Sequence, residues 1–293
     1  MKRALVTLAT AAALLLVACS DEAGRAVSGD DDLIGGTTAK SGELPATVGI
    51  SRAGKNHCTA ARVGERQLLT AAHCVLNLST LSPRYDAEHP VTVMLPSGAT
   101  AAHVVKATHV HPKWIERCAE TLCSVAAVTA KLDAPDVAVL ELTAPIEGAT
   151  VAPVEREALA PGDGVTIVGF GCTKGVHVAD DRAVKELLSA EQEVATPASA
   201  LHDGSYVEAT DEPVFSGNYV LTRGRAGLCP GDSGGPLYVR RGATLAVAGV
   251  NANYTLLPDD VDGAGVPVTN WHTRLDVGSR NGVAAWLTEI GVR

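Results

Sequence analysis

Near the C-terminal third of the chain, Gly231-Asp232-Ser233-Gly234-Gly235-Pro236 sets one hydroxyl among glycines. A serine hydroxyl is a poor nucleophile in water. It becomes reactive when a tight turn presents it to a base and free backbone N–H groups face the developing oxyanion. Glycine at 231, 234 and 235 leaves no side chain there to block a substrate carbonyl. The same composition describes a plain turn between strands, where Asp and Ser are common. Two upstream segments offer partners. His73 lies among small residues in Leu69-Thr70-Ala71-Ala72-His73-Cys74, where an imidazole can emerge from a packed wall as a general base. Taken alone it reads first as a satisfied core histidine. Asp136 heads the alternating apolar run Val137-Ala138-Val139-Leu140, the pattern of a half-buried strand. A buried carboxylate there would orient a histidine ring and stabilise its imidazolium, although singly it reads as a strand-end Asp.

Together the three segments resemble the trypsin/chymotrypsin family of serine proteases, whose marks are TAAHC, a D-I-A-L-L-type segment and GDSGGP in that order. Leu33-Ile34-Gly35-Gly36 resembles the family's I-V-G-G mature N-terminus, and Pro45 keeps the spacing of its early proline. Gly169-Phe170-Gly171 is similar to G-W-G, and Val283-Ala284-Ala285-Trp286-Leu287 to the closing helix. The resemblance covers roughly residues 33–290. It implies a serine endopeptidase acting on protein or peptide, with His73 as base, Asp136 as orienting acid and Ser233 as nucleophile. The N–H groups of Gly231 and Ser233 would form the oxyanion hole. Asp232 would receive the ammonium of a new N-terminus at Leu33 after activation. No cofactor or metal is implied.

Specificity follows from the same resemblance. The pocket floor falls on Gly227, where a trypsin-like enzyme would carry Asp, and no acid replaces it in Arg225-Ala226-Gly227-Leu228. An Arg or Lys side chain would be buried there without a counter-charge. Tyr254 and Asn270 would narrow the walls, so uncharged residues are expected before the cut. Ala252-Asn253-Tyr254 takes the place of the Ser-Trp-Gly strand that pairs with substrate backbone, and the basic residue usual before the activation cut is missing. These departures keep a second reading, a catalytically silent binding lipoprotein on the same fold.

A third reading is weaker. Gly231-x-Ser233-x-Gly235 also fits the nucleophile elbow of α/β-hydrolases, with Asp259 or Asp276 and His272 as partners. That elbow must run into a helix, whereas residues 237–240 and 245–250 read as two strands joined at Arg241-Gly242.

The elements that must position these residues are short. Apolar runs at 47–50, 67–70, 91–95, 103–109 and 137–142 alternate with Gly, Pro and Ser breaks. A second series follows at 165–168, 184–188, 219–222, 245–250 and 266–268. Only 281–290 has helical spacing at any length. The resemblance turns this into an all-β fold of two antiparallel six-stranded barrels, 33–150 and 151–293, with a C-terminal helix. The active site would lie in the cleft between them. Extra residues at 77–90 and 112–132 are expected as surface insertions rimming that cleft. His109-Val110-His111 lacks a third ligand and reads as strand-end histidines rather than a metal pair.

Lys2-Arg3 followed by the apolar run 4–18 is a signal peptide, too short for a spanning helix. Leu16-Val17-Ala18-Cys19 resembles the lipobox of bacterial lipoproteins, in which Cys19 would be lipidated. Ser20 beside it points to the outer membrane or cell surface. Residues 19–32 are polar and acidic, an expected tether. Lys plus Arg number 24 against 33 Asp plus Glu, and no basic run with interleaved aromatics occurs, so nucleic acid is not an expected partner. A monomer is expected.

Seven cysteines in an exported chain suit an oxidising compartment. With Cys19 reserved for lipid, six remain. The resemblance pairs Cys58 with Cys74, which stand sixteen apart as in the family's histidine loop. Cys118 and Cys123 share a short loop. Cys172 and Cys229 are left, and both would lie near the oxyanion hole in this family.

Overall fold

Aromatics make up 3 % of the chain, so its core must be filled by Val, Leu, Ile and Ala, of which the β-branched Val and Ile suit pleated, half-buried surfaces. The computed structural model describes residues 33–40, 42–121, 134–173, 186–196, 216–256 and 267–293. The expected signal peptide, Cys19, the tether, Cys123 and Asp259 lie outside the described residues.

In chain order the structure opens with β1 (Thr37–Thr38), β2 (Thr47–Arg52), β3 (Lys55–Gly64), β4 (Gln67–Thr70) and the single helical turn α1 (Ala72–Val75). A small pair, β5 (Leu76–Asn77) and β6 (Ser82–Pro83), precedes β7 (Val91–Met94), β8 (Thr100–His103) and β9 (Val105–Val110). Helix α2 (Pro112–Thr121) and β10 (Ala138–Leu142) follow. Then come β11 (Gly164–Gly169), β12 (Leu188–Val194), β13 (Tyr219–Arg223), β14 (Pro236–Arg241), β15 (Thr244–Leu256), β16 (Pro267–Arg274) and α3 (Val283–Glu289).

Two seven-stranded antiparallel sheets result besides the small β5–β6 pair. The second has the order β1-β12-β11-β14-β15-β16-β13, and β12 also pairs with β13, which closes six strands into a barrel. The first has the order β8-β7-β2-β3-β4-β10-β9, with no pairing between its edge strands among the described residues. It is a curled sheet whose two edge strands are consecutive in the chain, separated only by Val104. The expected all-β fold of two barrel-like halves with a C-terminal helix is thus present, one half closed and the other a curled half-barrel. β1, at the start of the chain's first half, pairs with β12 of the second sheet through Thr37 and Thr38.

Burial follows the strand period where one face is wet. Along β7, Val91 and Val93 are buried while Thr92 and Met94 are not. The first core gathers Val48, Ile50, Leu68, Leu69 and Leu140, and α3 packs on it through Val283 and Leu287. The second gathers Val165, Ile167, Leu237 and Val239, with Leu33 buried among them. Between the sheets, the hydroxyls of Thr47 and Tyr238 meet at 3.0 Å.

Helix α2 was not expected from the spacing. Pro112 starts it, a position where the missing N–H has no intrahelical role. Trp114 and Cys118, four residues apart on one face, are both fully buried.

Candidate active site

His73 sits in α1, directly after β4, on a turn packed by the fully buried Ala71 and Ala72. Cys74, its neighbour, is joined to Cys58 of β3 by a disulfide. The imidazole is thus placed by a helical turn stapled to the sheet behind it. Asp136, fully buried, stands just before β10. Its Oδ2 lies 2.6 Å from His73 Nδ1, and its Oδ1 accepts the His73 backbone N–H at 3.1 Å. A carboxylate oxygen accepts, so Nδ1 carries the proton and Nε2 is left as the basic nitrogen.

Asp136 itself is held from the other sheet. Thr273 of β16 donates its hydroxyl to the Asp136 carbonyl at 3.0 Å, and Tyr219 of β13 donates to Ala134 O at 2.6 Å. Burial and the Asp136 charge push the Tyr219 phenol well above its ordinary value.

Ser233 follows a turn tied down at several points. Its carbonyl accepts the Thr59 N–H at 2.8 Å. The Thr59 hydroxyl donates to Gly231 O at 2.8 Å and accepts the Phe170 N–H at 3.1 Å. Gly231 has φ +111°, and a Cβ there would lie 2.7 Å from the Gly171 Cα. Only glycine fits both the backbone and the close approach. The segment after Ser233 is β14, a strand, which removes the nucleophile-elbow reading. His272 is likewise no catalytic partner, being fully buried between Thr222 and Asn251.

Asp232 is wholly buried. Its Oδ1 accepts the Gly171 N–H at 2.7 Å and its Oδ2 the Cys229 N–H at 2.8 Å. Even with these donors, burial pushes the carboxyl up to about 7. The segments supplying the two N–H groups are joined by the Cys172–Cys229 disulfide. Ile34 packs on this bridge, and its carbonyl accepts the Gly227 N–H at 2.8 Å. Leu33 is fully buried with φ +62°, an unusual backbone for leucine.

The expected disulfides Cys58–Cys74 and Cys172–Cys229 are both present. Cys118 is also disulfide-bonded, while Cys123 falls outside the described residues. Cys58, His73 and Cys74 bring three ligand-type atoms within 4.8 Å of one another, but bridged sulfurs offer no thiolate to a metal.

A cavity of about 190 Å³ opens beside the serine, lined by His73 and Ser233 together with Leu228, Asn251, Asn253 and Tyr254. The expected pocket residues are thus divided. Asn253 and Tyr254 line the cavity, whereas Gly227 and Asn270 are not among its lining residues. The Asn270 amide is engaged with backbone, accepting from Leu228 N at 2.7 Å and donating to Ala226 O at 3.3 Å. Asn251 is a lining residue that the sequence did not single out. Its signal was an amide breaking an otherwise apolar strand between Val250 and Ala252.

The described helices include none long and apolar enough to cross a membrane. Comparison with known proteins agrees with the geometry. The chain is 25 % identical over 211 residues to Transmembrane protease serine 9 of Rattus norvegicus, a stretch covering 70 % of this chain. It spans 18 % of that relative's length. The Trypsin family matches residues 33–255, about three quarters of the chain, and with the closed barrel, the bridged histidine turn and the glycine-lined serine already in place, the chain belongs to the Trypsin family and carries a trypsin-like serine protease domain.

Proposed function

We propose that this chain is an exported serine endopeptidase in which Ser233 attacks a peptide carbonyl and His73 takes and returns the proton. The observation that carries the reading is the 2.6 Å contact between the buried Asp136 carboxylate and His73 Nδ1, with His73 and Ser233 on the wall of one cavity. Asp136 fixes the tautomer that leaves Nε2 basic, and stabilises the imidazolium once the serine proton arrives. The N–H groups of Gly231 and Ser233 receive the oxyanion. An acyl-enzyme on Ser233 is then hydrolysed by water that His73 deprotonates.

The cavity supports a preference for uncharged side chains before the cut. No carboxylate is among its lining residues, so a basic side chain entering it would lose hydration without gaining a counter-charge. Asp232 is the seat of an activating ion pair with the ammonium of a chain beginning at Leu33. Its support is a wholly buried carboxyl that has N–H donors but no cation among its described partners. Anchoring through a lipidated Cys19 rests on the lipobox, and the disulfides agree with an oxidising, exported location.

A fluorophosphonate probe tests the catalytic reading directly. Wild-type protein should be labelled on Ser233, and Ser233→Ala and His73→Ala should abolish or strongly slow labelling. Processed, folded wild-type protein that stays unlabelled would refute the enzyme and leave the silent binding lipoprotein.

A further inference from the structure

Inside the second barrel a run of polar side chains crosses three adjacent strands. Thr222 of β13, His272 of β16 and Asn251 of β15 are each fully buried. Asn251 is directly opposite His272, and His272 is opposite Val220, which puts Thr222 on the diagonal of the same face. Thr222 Oγ1 lies 2.9 Å from His272 Nε2, and His272 Nδ1 lies 2.8 Å from Asn251 Oδ1. The amide oxygen can only accept, so His272 is protonated on Nδ1 and its Nε2 accepts from the threonine hydroxyl. Burial pushes this imidazole down to about 3, so it stays neutral in any ordinary buffer.

The far end of the run is the nucleophile turn. Asn251 Nδ2 donates to the carbonyls of Val168 at 2.9 Å and Asp232 at 3.1 Å. Both amide hydrogens are therefore spent on protein carbonyls, and the amide oxygen is engaged by His272. The backbone of the same residue adds two more ties. Its N–H donates to Gly235 O, and its carbonyl accepts the Gly234 N–H, both at 2.8 Å. A Cβ at Gly235 would lie 2.9 Å from Asn251 Nδ2, so amide and turn are in close contact.

The carbonyl that Asn251 holds belongs to the peptide unit whose other end is the Ser233 N–H. That unit is planar and trans, so fixing the direction of Asp232 C=O fixes the opposite direction of Ser233 N–H. We propose that Asn251 is a positioning residue that aims the Ser233 N–H at the oxyanion, and that His272 and Thr222 hold the Asn251 amide in the orientation this requires. An Asn251 amide turned over would put its oxygen against two carbonyls, and the His272 N–H prevents that. The proposal rests on the reading of Ser233 as nucleophile and adds three residues in the interior of the barrel to the Gly235 N–H, which also donates to Asp232 O at 2.9 Å, as supports of one oxyanion donor.

The test compares Asn251→Leu, His272→Phe and His272→Gln with wild type in the processed protein. The readouts are kcat and KM on a peptide amide with an uncharged residue before the cut, and the affinity of the matching peptide boronic acid. Near-UV circular dichroism confirms the fold. A mis-aimed oxyanion donor weakens the transition state more than the bound substrate. Asn251→Leu should therefore lower kcat and boronate affinity by about tenfold or more, with KM changed less than about threefold. His272→Phe should follow it. His272→Gln, which can still donate to Asn251 and accept from Thr222, should recover most of that loss. This pair keeps the test open if Asn251→Leu does not fold. Folded Asn251→Leu or His272→Phe with wild-type kcat and boronate affinity would overturn the proposal, as would a His272→Gln loss equal to that of His272→Phe. A wild type that neither cleaves nor labels with fluorophosphonate would overturn the nucleophile reading and this one with it.

Discussion

Freeing an ammonium at Leu33 should change how the stability of this protein depends on pH, and Asp232 sets the size of the change. Its carboxyl has an ordinary value of 3.8 and is pushed up to about 7 by complete burial. A carboxyl raised on folding binds more protons in the folded state than in the unfolded state throughout that window. Stability therefore falls as pH climbs from about 4 to about 7, and stays low above it. A rise of about three pKa units corresponds to about 4 kcal/mol, a large part of the stability of an ordinary domain. An ammonium beside the carboxylate favours the charged form and removes most of this penalty.

The measurement is a set of urea unfolding midpoints between pH 4 and 8 on two chains, one retaining residues 19–32 and one beginning at Leu33. Carboxyls held below their ordinary value, such as Glu141 through its hydrogen bond from Lys106, titrate in the opposite direction, but equally in both chains. The difference between the chains isolates Asp232. It should grow with pH towards a few kcal/mol in favour of the cut form, and Asp232→Asn should abolish it. Parallel pH profiles for the two chains, or an unchanged difference in Asp232→Asn, would refute the ion pair.

Three further outcomes are expected. On matched peptides ending in Arg, Ala, Leu and Phe before the scissile bond, kcat/KM should be poorest for Arg and best for Ala or Leu; a clear preference for Arg would mean that an acid outside the described residues reaches the cavity. Cys19→Ser should move the protein from the membrane fraction to the soluble exported fraction, and unchanged membrane association would count against a lipid anchor. Thr273→Val, which removes the hydroxyl that donates to Asp136 O, should lower kcat with a smaller change in KM, and wild-type kinetics in that variant would show that the Asp136 backbone needs no tie from β16.

The three segments that the structure gathers around one cavity were legible because each is local. A histidine turn, an Asp at the head of a strand and a glycine-lined serine keep their chemistry within a few consecutive residues. What escaped depends on pairing. Residues 55–64 carry no clean alternation, because β3 is covered on both sides: Thr59 binds the serine turn while Ala60 packs in the first core. The stripe on α2 is too short to stand out as a helical period. Asn251 reads as an ordinary interruption of an apolar strand until the sheet brings it opposite His272 and beneath Asp232. The closure of the sheets was also beyond a period-two pattern, since alternation places strands without saying which edges meet.

The supports of the site are exchanged between the two sheets. Ser233 lies just ahead of β14 in the second, yet its carbonyl is held by Thr59 of the first. Asp136 leads into β10 of the first, yet its backbone is tied to Thr273 and its approach to Tyr219, both in the second. Neither sheet alone can hold the histidine, carboxylate and serine in register. Small shifts between the sheets would move the serine and the imidazole apart while leaving each core intact, and catalysis is far more sensitive to such displacement than stability is. Buried polar ties such as Thr47 to Tyr238 are suited to that demand, because a hydrogen bond fixes direction where apolar contact permits sliding.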